Sequence, residues 1–131
     1  MLALSVKQPW AELIASGRKT LEIRCWPTQH RGPLLIVASS QPNALQLAHF
    51  RMRDLPCGVA ICTVNLVACT VVRDLRAREG RTWLYNRAYW SPPDDEYAWE
   101  LADVRRVAPS PIKGRLRLYN VADHLVQLVA A

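Results

Sequence analysis

The segment Ser16-Gly-Arg-Lys-Thr-Leu-Glu-Ile-Arg-Cys-Trp26 decides how the rest of this 131-residue chain is read. From Thr20 onward its residues alternate with the two-residue period of a β-strand. Leu21, Ile23 and Cys25 then share one side, and Thr20, Glu22 and Arg24 share the other. The first side is expected to be core. The second carries a carboxylate and a guanidinium two residues apart, with Lys19 just upstream in a turn that contains Gly17. Three ionisable groups this close, flanked by Trp10 and Trp26, point to a site. The competing reading is an exposed ion pair on an edge strand, worth at most ~1 kcal/mol.

Upstream, Ala3 to Lys7 predicts a first strand with Leu4 and Val6 inward and Ser5 and Lys7 outward. Pro9 suits the first turn of a helix, and Gly17 suits its left-handed C-terminal cap. Downstream, Pro33 to Ala38 is a continuous apolar run of strand length, expected to be buried on both faces. Asn43 is an N-cap for a helix reaching about Met52, with Leu45, Leu47 and Phe50 as packing residues. Val59 to Val72 is rich in β-branched residues and long for one straight strand, so a bulge or bend is expected near Asn65. Arg73 to Gly80 reads as a helical turn or loop. Trp83, Tyr85, Tyr89 and Trp90 fall in a Gly/Pro-bounded connection that leads into the loop Ser91-Pro-Pro-Asp-Asp-Glu96. Tyr97 to Val107 and Arg115 to Val121 are the last strands, and Ala122 to Val129 a short terminal helix. The sum is one α+β domain over residues 1–131, a small mixed β-barrel of about six strands with short flanking helices.

Composition narrows the class. Half the residues are hydrophobic, enough for a core at this length. No basic-then-apolar leader opens the sequence and no apolar run is long enough to span a bilayer as a helix, so a cytoplasmic, monomeric protein without a membrane partner is expected. Cys25, Cys57, Cys62 and Cys69 form no Cys-x-x-Cys pair and have no histidine at zinc-ligand spacing, so no metal site is expected. Cys25 and Cys62 read as buried strand residues. His30, His49 and His124 form no catalytic motif, and of the three only His30 is close enough to the central segment for a helper role to stay open.

The formal charge is +6, and Lys7, Lys19 and Lys113 are the three lysines among 17 basic residues. The arginine excess suits phosphate and base recognition, although coding bias also enriches arginine. Between Lys113 and Leu118 cations alternate with Gly114, Leu116 and Leu118, so Lys113, Arg115 and Arg117 would line one strand face and follow a phosphate backbone. A solvated strand face is the plainer alternative. Arg73, Arg76, Arg78 and Arg81 form a second basic cluster. The four aromatics from Trp83 to Trp90, interleaved with Arg81 and Arg87, suit either base stacking or packing onto the barrel, with packing expected for at least two of them.

The pattern Gly17-x-Lys19-x-x-Glu22-x-Arg24 follows Lys7-Gln8-Pro9-Trp10 and precedes Trp26-Pro27, Arg31-Gly-Pro-Leu-Leu-Ile-Val-Ala-Ser39, Tyr97-Ala-Trp99 and Pro111-Ile-Lys-Gly-Arg115. In this combination the chain resembles the ASCH domain family over roughly residues 3 to 121. The resemblance implies a PUA-like β-barrel whose cleft, between barrel and first helix, is an RNA-binding surface. It places Lys7, Lys19, Glu22 and Arg24 there; Gln8, Trp10, Thr20 and Trp26, with the basic stripe of Lys113, Arg115 and Arg117, are the further binding candidates. Lys7, Lys19 and Arg24 are then anion clamps. Lys19 and Glu22 are the catalytic candidates, and Trp10 or Trp26 frames the pocket.

Members of that family resemble nucleic-acid binders, single-strand-specific ribonucleases and amidohydrolases acting on acetylated cytidine. The amidohydrolase pattern has a threonine three positions after its lysine, where this chain has Glu22, and no certain match for its distant glutamate beyond Glu79 or Glu96. A metal-dependent nuclease wants several converging carboxylates, and the motif supplies only Glu22. The expectation is therefore an RNA-binding module needing no cofactor, with a ribonuclease (using a divalent metal) second and a hydrolase of a modified nucleoside third. With Leu21 and Ile23 as the packing side, Lys19 and Glu22 are expected at the surface, replaceable with little loss of stability.

Overall fold

A computed structural model describes residues 1–130. Its strands are β1 (Leu2–Val6), β2 (Leu21–Arg24), β3 (Gly32–Ala38), β4 (Ala60–Val71), β5 (Tyr97–Arg106) and β6 (Leu118–Asn120). They form one sheet in the order β2-β5-β4-β3-β1-β6. Only β1 and β3 run parallel; every other ladder is antiparallel. The helices are α1 (Trp10–Ala15), α2 (Ala44–His49), α3 (Val72–Glu79) and α4 (Arg81–Ala88), with a single 3-10 turn over Asp123–Leu125.

The sheet curls into a half-barrel whose edge strands, β2 and β6, share no ladder. Its curvature has a visible source in β4, where the pairing with β5 slips between Thr63 and Asn65 and again between Leu66 and Ala68. Each slip places an extra residue against one partner and increases the local twist. The expected bend near Asn65 is therefore present, as two irregularities.

Both faces of the sheet are covered. On one, Ala11 and Ile14 of α1 pack with Leu4, Val6, Leu34, Ile36, Val64, Leu66 and the fully buried Trp99. On the opposite face of β2 and β5, Leu21, Ile23 and Ala98 pack with Val72 and Leu75 of α3 and Leu84 and Ala88 of α4. A third cluster joins Ala3, Leu35, Val37, Ala60, Val107, Tyr119 and Val121 behind β1 and β3. The uninterrupted apolar run of β3 fits this, since residues 34–38 are buried whichever way they point. Helix α1 ends as its sequence requires: Gly17, at φ +79°, donates its N–H to the Ile14 carbonyl in a conformation that favours glycine.

Several expectations need correction. The aromatic connection after Gly80 forms the regular helix α4 as far as Ala88, and Trp83 and Trp90 pack against the cluster that α3 and α4 make with β2 and β5. Asn43 does cap α2, its side chain accepting from the Gln46 N–H, but the helix stops at His49 and buries none of its residues, and Leu45 is 83% exposed. Strand β2 ends at Arg24, which leaves Cys25 exposed beyond the ladder, while Cys62 is buried and its thiol pushed up to about 12 by that burial. The terminal helix is absent: Ala122 onward makes only the 3-10 turn and a bridge between Val107 and Leu128. The last strand is likewise short, because Lys113 to Arg117 is irregular and Arg117 sits at φ +58°, outside strand geometry.

Candidate functional site

A groove of about 720 Å3 opens where β1, β2 and the segment between Ile112 and Arg117 come together. Strand β1 supplies Leu4, Ser5 and Val6, followed by Lys7, and α1 supplies Trp10 at its first position. Glu22 and Arg24 come from β2, Ser39 and Ser40 from the end of β3, and Lys113, Arg115, Leu116 and Arg117 from the irregular segment.

Glu22 and Arg24 reach this groove because Leu21 and Ile23 are committed to α3 and α4 on the other face of β2. The alternation expected from the sequence is real, yet its polar side faces a crowded interior. Glu22 is 6% exposed and Lys19 2%. One Glu22 oxygen lies 3.6 Å from Lys19 Nζ, and the other accepts from Arg24 Nε at 3.0 Å. Arg24 Nη2 also donates to the Ser5 carbonyl at 2.7 Å. Lys19 Nζ donates to the Ala88 carbonyl at 2.6 Å and sits 5.0 Å from the Trp10 ring centroid, within cation–π range.

The trio holds two cations and one carboxylate. Burial pushes the Lys19 amine down to about 8, with the neighbouring Glu22 carboxylate opposing that shift and Arg24 adding to it. Desolvation thus outweighs the pairing. The expected surface position of Lys19 and Glu22 is corrected: both are core charges, held because each has partners.

The other expected site residues divide. Lys7 and Trp10 line the groove. Lys113, Arg115 and Arg117 line it too, all exposed, although a loop rather than strand alternation brings them there. Trp26 stands just behind, its ring 4.8 Å from that of Trp99 in an edge-to-face pair, with the Arg117 guanidinium 4.9 Å over its face. Lys19 does not line the groove; with Thr20 it borders a separate small cavity of about 100 Å3 beside Asp103 and Val104. Gln8 is fully buried, its amide donating to the Pro56 carbonyl at 2.9 Å and accepting from the Glu12 N–H at 2.9 Å. His30 is tied to its own turn through Nε2 and the Pro33 carbonyl.

The basic cluster of Arg73, Arg76, Arg78 and Arg81 lies on α3 and the start of α4, away from the groove lining. Among the described residues no three of His, Cys, Asp and Glu converge, and the groups flanking Glu22 are cations. Sequence reasoning missed Ser5, Ser39 and Ser40 on the groove wall, although Ser39 closes the quoted segment that begins at Arg31. It also missed Leu116, whose signal was available: an apolar residue between two arginines in a segment that cannot bury it.

Comparison with known proteins matches the ASCH domain over residues 4–111. Human activating signal cointegrator 1 is 36% identical over 80 residues, covering 50% of this chain and 14% of that protein. The mouse protein of the same name is 35% identical over the same length and shares. The chain thus spans only a small part of the length of these relatives. Among solved structures, two variants of ZmASCH from Zymomonas mobilis superpose with TM-scores of 0.64 and 0.63 at 19% identity, each over 93% of this chain and over 90% and 88% of theirs. The unsubstituted ASCH protein from that organism gives 0.57 at 18% identity, over 94% of this chain and 88% of its own. At such identity the likeness speaks to the fold, and it agrees with the PUA-like half-barrel described above.

No helix of the described chain is long and apolar enough to cross a membrane.

Proposed function

The chain belongs to the ASCH domain family, and we propose that within it this protein is an RNA-binding module whose ligand lies in the groove between Trp10 and the 112–117 segment. The observation that carries this reading is the charge of the groove lining. Lys7, Lys113, Arg115 and Arg117 stand exposed at its rim and Arg24 at its floor, against a single carboxylate, Glu22, already flanked by two cations. A concave surface with uncompensated positive charge concentrates a polyanion and gains affinity by releasing its counterions.

In this reading the rim cations hold phosphates, with the arginine forks suited to them. Trp10 offers a ring for a base to stack on, at ~1–3 kcal/mol. Glu22, fixed by Lys19 and Arg24, is the one carboxylate in the lining and takes hydrogen bonds from a base edge. Lys19 then acts as a positioning residue, working through Glu22. Two enzymatic readings use the same groove, cleavage of single-stranded RNA and hydrolysis of an acetylated nucleoside. Binding is favoured over both by the Lys19 amine, which is bonded to the Ala88 carbonyl and packed behind the lining rather than presented in it.

The test is labelled single-stranded RNA titrated with purified protein over a salt series, scoring retention and cleavage in the same samples. The expected result is retention without cleavage, with log K against log[salt] falling by about 0.7 per phosphate contacted. No retention at low salt overturns the reading. Cleavage lost in a Glu22→Gln protein that is still folded by circular dichroism favours the nuclease, and release of acetate from acetylated cytidine favours the hydrolase.

A further inference from the structure

Leu116 is 93% exposed, the most exposed of the large apolar side chains among the described residues, and it lines the groove. Its neighbours Arg115 and Arg117 are exposed as well, and both line the groove. A lone surface leucine is ordinary. This one is held out by a segment pinned at both ends. On the near side Ile112 donates its N–H to the Gly58 carbonyl and packs against the core behind β1 and β3, and Pro111 bridges Val59. Gly114 then lies against β1, where an added Cβ would come within 3.0 Å of Ser5 Oγ. On the far side Arg117 takes up φ +58° with its guanidinium over Trp26, and Leu118 returns to the core. A positive φ at a non-glycine residue costs free energy, which the surrounding contacts sustain.

Resting on the RNA-binding reading, we propose that Leu116 is an apolar wedge that packs against an unpaired nucleobase in the groove, so that the protein selects single-stranded over duplex RNA. The partner chemistry follows from the flanks. A side chain set between two arginines meets a ligand that is anionic along its backbone and apolar on its base faces. In a duplex those base faces are stacked on one another and closed to a wedge; in a single strand they are open. Trp10 lines the same groove and supplies a second apolar surface.

The experiment measures fluorescence anisotropy of three labelled RNAs of equal length: a single strand, its duplex, and a single strand carrying abasic sites. Wild type, Leu116→Ala, Leu116→Met and the double variant Arg115→Ala/Arg117→Ala are compared over a salt series. Leu116 touches so little protein that its replacement is expected to leave thermal unfolding unchanged. The expected result is a loss of about 5- to 20-fold in single-strand affinity for Leu116→Ala, an unchanged salt slope, restoration by Leu116→Met, and no effect on the abasic strand. Equal affinity of wild type and Leu116→Ala for a strand that still shows a salt slope overturns the wedge alone. The same loss on the abasic strand also overturns it. Absence of salt-dependent binding in wild type overturns the RNA reading and the wedge with it.

Discussion

Arg24 donates through Nη2 to the backbone carbonyl of Ser5 at 2.7 Å, although β5, β4 and β3 all lie between their two strands in the sheet. The sheet has therefore curled far enough to bring its β2 edge back to β1, and a side chain completes the closure that no ladder makes. Arg24→Met removes this contact and the bond to Glu22. The expected cost is about 1.5–3 kcal/mol per charged hydrogen bond lost, read as a lower urea midpoint. Arg24→Lys is expected to recover little of it, because a single ammonium cannot span Glu22 and Ser5 as the fork does.

The Lys19–Glu22 pair predicts an asymmetry. Glu22→Gln leaves the buried Lys19 amine with no carboxylate near it, whereas Lys19→Met leaves Glu22 still held by Arg24. Glu22→Gln is expected to cost about 3–5 kcal/mol and Lys19→Met roughly half as much, by equilibrium denaturation. Equal losses would show that the carboxylate draws its stability from Lys19 alone.

The Lys19 amine also fixes the sign of a pH dependence. Its value is about 8 in the folded protein, against an ordinary 10.5, so below pH 8 both folded and unfolded chains hold the proton. Between pH 8 and 10.5 the folded chain has released it while the unfolded chain still binds it. Stability from this residue therefore rises with pH across that window, by roughly 3 kcal/mol in total. Subtracting the Lys19→Met stability profile from that of wild type isolates the effect. A difference that falls over the window would mean that pairing with Glu22 outweighs burial.

Gln8 separates structural from binding roles at the start of the motif. Its amide joins α1 to the segment before Gly58 through the Glu12 N–H and the Pro56 carbonyl. Gln8→Ala leaves both groups without their partner and is expected to cost about 1–3 kcal/mol. RNA affinity per folded molecule, measured well below the unfolding temperature, is expected to stay as in wild type.

Trp99 supports the site from beneath. It is fully buried, pairs across the ladder with Glu22, and meets Trp26 edge to face. Trp99→Ala is expected to cost about 3–5 kcal/mol by thermal or urea unfolding. Trp99→Phe is expected to retain most of that stability while loosening Trp26, and with it the seat of Arg117.

Much of this was legible from residue order. The period of two in Leu21 to Arg24, the apolar run of β3 and the glycine that ends α1 are local signals, and they placed their elements. The bulged β4 was legible because β-branched residues outran the length of a straight strand. What local signals cannot supply is the covering of the second face. Glu22 and Arg24 were legible as a site, but Glu22 was expected at the surface because nothing in its own strand says that the sheet curls over it. The stripe from Lys113 to Arg117 alternated like a strand, yet the ladder with β1 begins only at Leu118, and the positive φ of Arg117 turns the preceding backbone out of strand geometry. Lys19 was recognised by its company, but its burial depends on Ala88 and Trp10, remote in sequence or on another element.

The parallel pairing of β1 with β3 and the antiparallel pairing of β1 with β6 have a consequence for synthesis on the ribosome. As the chain emerges in order, β1 finds its first partner once residues 32–38 are out, but its second ladder must wait for Leu118 to Asn120. Lys113, Arg115 and Arg117 are translated immediately before those residues, so three of the four rim cations are the last part of the groove to be delivered. A nascent chain halted before Lys113 would carry Glu22 and Arg24 with Lys7 as their one rim cation and with one flank of β1 unpaired, a state in need of protection from other strands.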